Sequence, residues 1–461
     1  MNIQLCAILK IVFVVLLQTN FVLLHVSAAE HKIVVIADPH VMAEELLIKD
    51  GKAFQKYLSR SRKMIDYSQS LFDQMIEEII NMSPRPELVL IVGDLSKDGE
   101  LASHRYVKRK LDFLKRNGIP TLIVPGNHDW GTRAIAYSGE KVIESVSCVR
   151  FGYGENSLET IYAGYGFRTY YKDSTKVSIP VDRESKSSTL TYVCEPIPGL
   201  ALVGIDSGKK GELSNSTLNW VCSRIRKSLD EGKQVIAMMH HSLIPHIIGG
   251  SHVFYPSKKE DHESGNIGYT LIRNRLADVG LKVIITGNTH NQDIAKDWNS
   301  NLKASIYDVS TGSICCYPFS YRVLVFNDKT KNLSVTSSML KGTALSLRGN
   351  TISLKEARAR FTQPYIINRI KSKLITLGMN KDEANKVSPY VARAYIYHAE
   401  GDETENKNAR ALLSKLDTML VDAPSYLKKV NSMLQDLSNY GVVKRENHTE
   451  DKNLIINLKT E

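Results

Sequence analysis

Five apolar runs in this sequence each hand over to Asp, Asn or His. Residues 33–37 lead into Asp38-Pro39-His40, residues 88–92 into Gly93-Asp94, and residues 122–124 into Pro125-Gly126-Asn127-His128-Asp129. Residues 235–239 lead into His240-His241, and residues 283–286 into Gly287-Asn288-Thr289-His290. Carboxylate, amide and imidazole are ligands suited to Zn, Mn and Fe. Any one of these residues is explained equally well as a turn former, because Asp and Asn favour strand ends anyway. Their recurrence at the ends of five runs points instead to one assembled site.

The chemistry such a set supports is phosphate-ester hydrolysis. The anionic oxygens of the ester repel a nucleophile; two metal ions about 3.5–4 Å apart neutralise that charge, acidify a water and orient the ester. The pair needs a carboxylate able to bridge, imidazoles that terminate each ion, and a neutral oxygen ligand. Asp94 fits the bridge, with Asp38, His40 and His290 on one ion and Asn127 and His240 on the other. Of His240 and His241, the first lies nearer the strand end.

The elements that must position these residues read as alternating strands and helices. Apolar runs of strand length carry Asp38 and His40, Asp94, and the segment from Asn127 to Asp129. Period two places Asp38 and His40 on one side of their strand. Between them, residues 64–82 read as an amphipathic helix with Ile65, Leu71, Phe72, Met75 and Ile79 on one side, and residues 101–117 as a second, ended by Gly118. Crossover helices imply parallel pairing. Residues 189–193 and 200–205 read as a strand pair, residues 216–229 as a helix, and residues 235–239, 283–286, 304–309 and 322–326 as a second group of strands. Aromatic and Gly-rich turns between 131 and 188 read equally as a rim around the site or as packed loops; with the loop over 246–268 they would set the substrate. Beyond residue 349 the period becomes helical. Ser353-Leu354-Lys355-Glu356 is a capping-box signature for a helix to about residue 377, followed by helices over 380–399, 409–421 and 425–440. The default role for that all-α unit is a stabilising buttress.

Four units follow: a leader over 1–28, a catalytic α/β unit over 29–349, the helical unit over 350–445, and a polar, flexible tail over 446–461. In the leader, Lys10 precedes an apolar stretch, and Val26-Ser27-Ala28 offers the small residues of a cleavage site. Gln18-Thr19-Asn20 interrupts the stretch and argues against a permanent anchor, so no stable membrane span is expected after cleavage. A secreted protein, periplasmic or extracellular, is the expectation. The five cysteines beyond the leader leave one thiol unpaired, leave room for one or two bridges, and lack metal-site spacing. A net charge of +11 favours anionic partners such as phosphate esters. No run of five or more Lys and Arg appears, which argues against a nucleic-acid arm.

Asp38-Pro39-His40, Gly93-Asp94, Gly126-Asn127-His128-Asp129, His240 and Gly287-Asn288-Thr289-His290 together resemble the ordered motifs of the calcineurin-like metallophosphoesterase superfamily, here of a secreted, bacterial type. The resemblance spans about residues 33–326. It implies an α/β fold, a β-sandwich of two mixed sheets flanked by helices, to which the all-α C-terminal unit is added. It also implies a dinuclear centre of two divalent ions (Mn, Fe, Zn or Co). Asp38, His40, Asp94 and His290 would hold one ion, and Asp94, Asn127 and His240 the other. His128 would stabilise the transition state or protonate the leaving oxygen, oriented by Asp129. One position departs: the family usually shows Gly-His-x-His where this chain has Gly287-Asn288-Thr289-His290. Asn288 could ligate through its amide oxygen, or His246, His252 or His262 could take its place. A metal-dependent phosphoesterase is therefore the leading expectation. The alternative is a catalytically degraded fold that binds a phosphorylated ligand or partner.

Overall fold

The computed structural model describes residues 29–459, except 49, 132, 151–153, 169, 173–176, 185–188, 248–252, 254–267, 297–304, 342–343, 348–349, 354, 357–358, 360–364, 402–406 and 435–450. The expected leader and its cleavage site lie outside the described residues.

The chain begins β1 (Glu30–Ile36), α1 (Lys52–Leu58), α2 (Ser68–Asn81), β2 (Leu88–Val92), α3 (Leu101–Arg116), β3 (Thr121–Val124). Two short ribbons, β4 (Ala136–Ser138) with β5 (Lys141–Ile143) and β6 (Tyr170–Lys172) with β7 (Val177–Ile179), flank α4 (Leu158–Ile161). Next come β8 (Val181–Arg183), β9 (Tyr192–Ile197), β10 (Leu200–Ile205), α5 (Asn215–Asp230), β11 (Gln234–Met239), α6 (Gly268–Asp278) and β12 (Val283–Thr286). Then follow β13 (Asp293–Lys296), β14 (Tyr307–Ser310), β15 (Ser320–Asn327), β16 (Asn332–Met339), β17 (Ala344–Leu347) and β18 (Asn350–Ser353). Helices α7 (Ile367–Thr376), α8 (Lys381–Glu400), α9 (Lys407–Met419) and α10 (Pro424–Leu434) precede a last strand, β19 (Asn453–Asn457).

The strands form two large mixed sheets, ordered β19-β16-β15-β1-β2-β3 and β13-β14-β12-β11-β10-β9-β8. Within the first, β1, β2 and β3 are parallel and β15 is antiparallel to β1; within the second, β10, β11, β12 and β14 are parallel. This is the expected α/β sandwich flanked by helices, with the helical C-terminal region present. Strand β2 is buried at all five positions, as continuous apolar runs require when both faces are covered. Helix α2 buries Leu71, Phe72, Met75, Ile76 and Ile79 in the same core cluster, each contributing about 1.5–3 kcal/mol on burial. The Tyr192 hydroxyl donates to the Ile123 carbonyl at 2.9 Å and ties β9 to β3 across the sheets. One buried cluster runs unbroken from Ile36 and Val92 to Leu374, Val391 and Leu416, so the C-terminal helices share the sandwich's core.

One expectation holds and one fails. The capping signature is used: Ser353 ends β18, its Oγ accepts the Glu356 amide at 3.1 Å, and Lys355 and Glu356 are helical. Helix α7 ends at Thr376, close to the end expected near residue 377. The flexible tail is corrected. Residues 453–457 pair with β16 and extend the first sheet, and Leu454, Ile456 and Leu458 are buried while Ile455 faces out. The alternation is strand-like but only five residues long, between polar flanks, too short to stand out by sequence.

That alternation sets a test. Ile456→Ala is expected to cost about 2–4 kcal/mol of unfolding free energy in a denaturant titration. Ile455→Ala should stay within about 0.5 kcal/mol; equal effects would show that β19 does not dock as described.

Candidate metal centre

Strands β1, β2, β3, β11 and β12 end at one edge of the sandwich, and the residues after each meet there. One ligand atom from each of Asp38, His40, Asp94 and His290 lies within 4.8 Å of the others, and all four residues are buried. His40 Nε2 stands 3.2 Å from His290 Nε2 and 3.4 Å from Asp94 Oδ2; His290 Nε2 stands 3.2 Å from Asp38 Oδ1. On the far side of Asp94, His240 Nε2 lies 3.4 Å from the same Oδ2 and 3.0 Å from Asn127 Oδ1. Asp94 thus faces both groups, as a bridging carboxylate would.

The backbone that brings them together is unusual. Asp38, His40, Asp94, Asn288 and His290 all sit at positive φ, between 42° and 64°. Asp38 and His40 therefore share a side because the chain turns sharply, and not because a strand's alternation continues through them. Such left-handed conformations cost about 1–3 kcal/mol each outside glycine and cluster where function demands a geometry. Gly93 and Gly126 allow the close approach. A Cβ on Gly93 (φ 89°) would meet the His240 ring at 2.4 Å, and one on Gly126 would meet Asp94 at 2.2 Å.

Burial and mutual charge set the protonation of the set. Burial pushes Asp94 up, yet His240, His40 and His128 together hold it well below the usual carboxylate range. Burial lowers His240, but Asp94 and Asp38 outweigh it and raise the imidazole to about 9. Burial lifts Asp38 to about 7. The partners behind the rings fix their orientation. His240 Nδ1 donates to the Val92 carbonyl at 2.8 Å, which turns its Nε2 toward Asp94. His290 Nδ1 rests 3.2 Å from Cys316 Sγ.

These features fit a divalent cation. Two imidazole nitrogens face one another, and Asp38 Oδ1 is buried without a hydrogen-bond partner. Imidazole and carboxylate lone pairs converging in a buried space suit Zn, Mn or Fe.

His128 lies beside the cluster, its amide donating to Asp94 Oδ1 at 2.7 Å. Its ring is held by Asp98, not by Asp129: Nδ1 donates to Asp98 Oδ1 at 2.7 Å. Asp129 turns the other way, accepting the Ser96 amide at 2.9 Å and the Gly126 amide at 2.8 Å, so it locks the loop. The family resemblance implied Asp129; here that buried carboxylate is instead consumed by backbone donors.

Sequence reasoning also missed Lys63, Cys316 and Asp98. Lys63 Nζ lies 3.3 Å from His40 Nδ1 and 3.2 Å from His128 Nε2, linking the cluster to His128. Burial lowers its pKa, only partly countered by Asp94. His241 faces Ser207 instead of the cluster, with Nδ1 2.8 Å from its Oγ. His246, a candidate stand-in for Asn288, is trapped between Asp293 and Asp308 at 3.3 and 3.4 Å. His252 and His262 fall outside the described residues. The backbone N–H of Asn288 donates to Asp38 Oδ2 at 2.9 Å. Cys148, Cys194, Cys222, Cys315 and Cys316, all of them described, are free thiols, so the bridges allowed for are not formed.

Asp98 and Asp129 separate by experiment. Asp98→Asn should lower turnover by about 10–10²-fold with metal content unchanged, because Asp98 orients His128 through one oxygen and pairs Lys97 through the other, and touches none of the four clustered residues. His128→Ala should lower turnover by about 10²–10⁴-fold, again at constant metal. Asp129→Asn should instead lower the melting temperature; a pure turnover loss with unaltered stability would return the orienting role to Asp129.

Comparison with known proteins agrees with this geometry. The family model for calcineurin-like phosphoesterases matches residues 31–292. A probable glycerophosphodiester phosphodiesterase of Arcobacter nitrofigilis is 24% identical over 219 residues, 47% of this chain and 58% of that protein. A probable cyclic nucleotide phosphodiesterase of Xenorhabdus bovienii is 30% identical over 120 residues, 24% of this chain and 47% of that one. The chain thus spans about half the length of the curated relatives it matches. Among solved structures, a dimetal phosphatase from Danio rerio aligns with a TM-score of 0.42 at 13% identity, covering 70% of this chain and 99% of that one. With the family model covering more than half of its length and a buried carboxylate–imidazole cluster at the strand ends, this chain belongs to the calcineurin-like phosphoesterase family.

Proposed function

We propose that this protein is an exported, metal-dependent hydrolase of phosphate esters. The observation that carries the reading is the convergence of Asp38, His40, Asp94 and His290 within 4.8 Å. In this reading those four hold one divalent ion and Asp94, Asn127 and His240 hold the second, drawn from Mn, Fe, Zn or Co. When bound, such a pair supplies charge neutralisation, a water acidified toward neutral pH and a grip on the ester oxygens. The chain's own residues do the rest. His128, fixed by Asp98, is the most exposed imidazole of the group and presents Nε2 for proton transfer to a leaving oxygen. Lys63, against the same nitrogen, adds positive charge where the reacting ester gathers negative charge. The names of both curated relatives support a diester over a monoester.

Activated aryl phosphate mono- and diesters are the assay. Hydrolysis should vanish on exhaustive chelation and return with Mn, Co, Zn or Fe; activity that survives chelation rules the metal mechanism out. Metal content near two ions per chain supports the enzyme, whereas none favours the binding-protein alternative to which Asn288 points. Export behind a cleaved leader rests on Val26-Ser27-Ala28. Mature protein should begin near Ala29, and N-terminal sequencing of exported material that reads from Met1 would overturn it.

A further inference from the structure

A cavity of about 730 Å³ opens between the metal centre and the C-terminal helices, and Asn288 and Arg62 line it. Its size is that of a small-molecule site. Three helices each present one stripe to it. From α7 come Arg369, Ile370 and Lys373; from α8, Val391 and Tyr395; from α10, Tyr426, Lys429 and Met433. The spacings of three and four are those of a single helix face.

The charge of this lining is one-sided. Arg62, Arg369, Lys373 and Lys429 all line the cavity, and among the described residues lining it there is no Asp or Glu. Arg62 Nη1 donates to the Tyr395 hydroxyl at 2.8 Å, which fixes the guanidinium beside the cavity. Burial, and then Arg62, Lys373 and Arg369, depress the Lys429 ammonium, so these cations crowd one another. Like charges gathered around a cavity, without a carboxylate in its lining, favour an anion. The cavity also adjoins the reaction centre directly. Asn288 both lines it and donates its backbone N–H to Asp38, while Arg62 immediately precedes Lys63.

We propose that the cavity holds a second anionic group of the substrate, remote from the phosphate that is cleaved. Resting on the phosphoesterase reading, this narrows the substrate class to small phosphate esters that carry a further phosphate or carboxylate joined through an organic spacer. Guanidinium and ammonium groups grip the remote anion, while Ile370, Val391 and Met433 cover the spacer. The helical region then selects the substrate, beyond the buttress role that helical pattern alone suggests.

Calorimetric titration of the metal-loaded chain with alkanediol bisphosphates and the matching alkyl monophosphates tests this at physiological salt. A bisphosphate of suitable length should bind at least about tenfold more tightly than its monophosphate, the scale of one or two charge-assisted contacts. Arg369→Gln with Lys429→Gln should bring that ratio close to one, while Arg369→Lys with Lys429→Arg should keep most of it. A ratio near one in the unaltered chain, or a ratio that survives loss of both charges, overturns the assignment. The two readings fail separately. Selective bisphosphate binding without hydrolysis of any ester sinks the enzyme and keeps the anion site; hydrolysis without bisphosphate preference does the reverse.

Discussion

A carboxylate taken wholly out of water has to be surrounded by cations or donors, and Asp94 imposes that demand on everything near it. Its two oxygens face the His128 amide, His40 and His240, three contacts drawn from three separate strand ends. None can be met unless β1, β3 and β11 deliver their loops to one point. The price in backbone geometry is visible at Asp38, His40, Asp94, Asn288 and His290, all left-handed. Asp, Asn and His are the residues that tolerate this conformation best apart from glycine. The ligand chemistry and the turn chemistry therefore select the same side chains. A rigid sandwich whose strands are buried on both faces is what keeps such a constellation from relaxing.

This coincidence explains why so much of the centre could be read from sequence. Apolar runs of strand length gave the β1, β2, β3, β11 and β12 ends, and their polar successors gave the cluster. What stayed hidden came from residues whose role depends on a contact between distant segments. Lys63 precedes a helix and looks like surface charge until α2 docks and brings it against His40 and His128. Cys316 has no metal-ligand spacing, because it supports His290 from behind. The exchange between Asp98 and Asp129 has the same origin. Adjacency to His128 is a weaker guide than the number of unpaired amides nearby, and Asp129 has the Gly126 and Ser96 amides to satisfy.

The helical region was legible as helices and illegible as part of a wall. Periodicity finds a helix's apolar stripe, and here Ile370 and Leu374 of α7 mark it. The same periodicity is silent on what lies beyond the stripe's edge, where Arg369 and Lys373, though exposed, also line a cavity. Charged residues flanking an apolar face are the ordinary pattern of a solvated helix. Only docking distinguishes a solvated flank from the lining of a cavity.

The pairing of β19 with β16 has a topological consequence. The chain leaves the first sheet at β16, builds β17, β18 and, among the described residues, helices α7 to α10, and returns to the same edge at β19. The helical region is therefore a loop closed on the sheet, pinned at both ends to neighbouring strands, and not a bead on a hinge. During synthesis β16 remains an open edge until β19 emerges, so Leu333 and Val335 await a partner more than a hundred residues further along the chain. A product cut before β19 would keep every residue of the carboxylate–imidazole cluster yet carry an unsealed sheet edge, open to pairing with another chain.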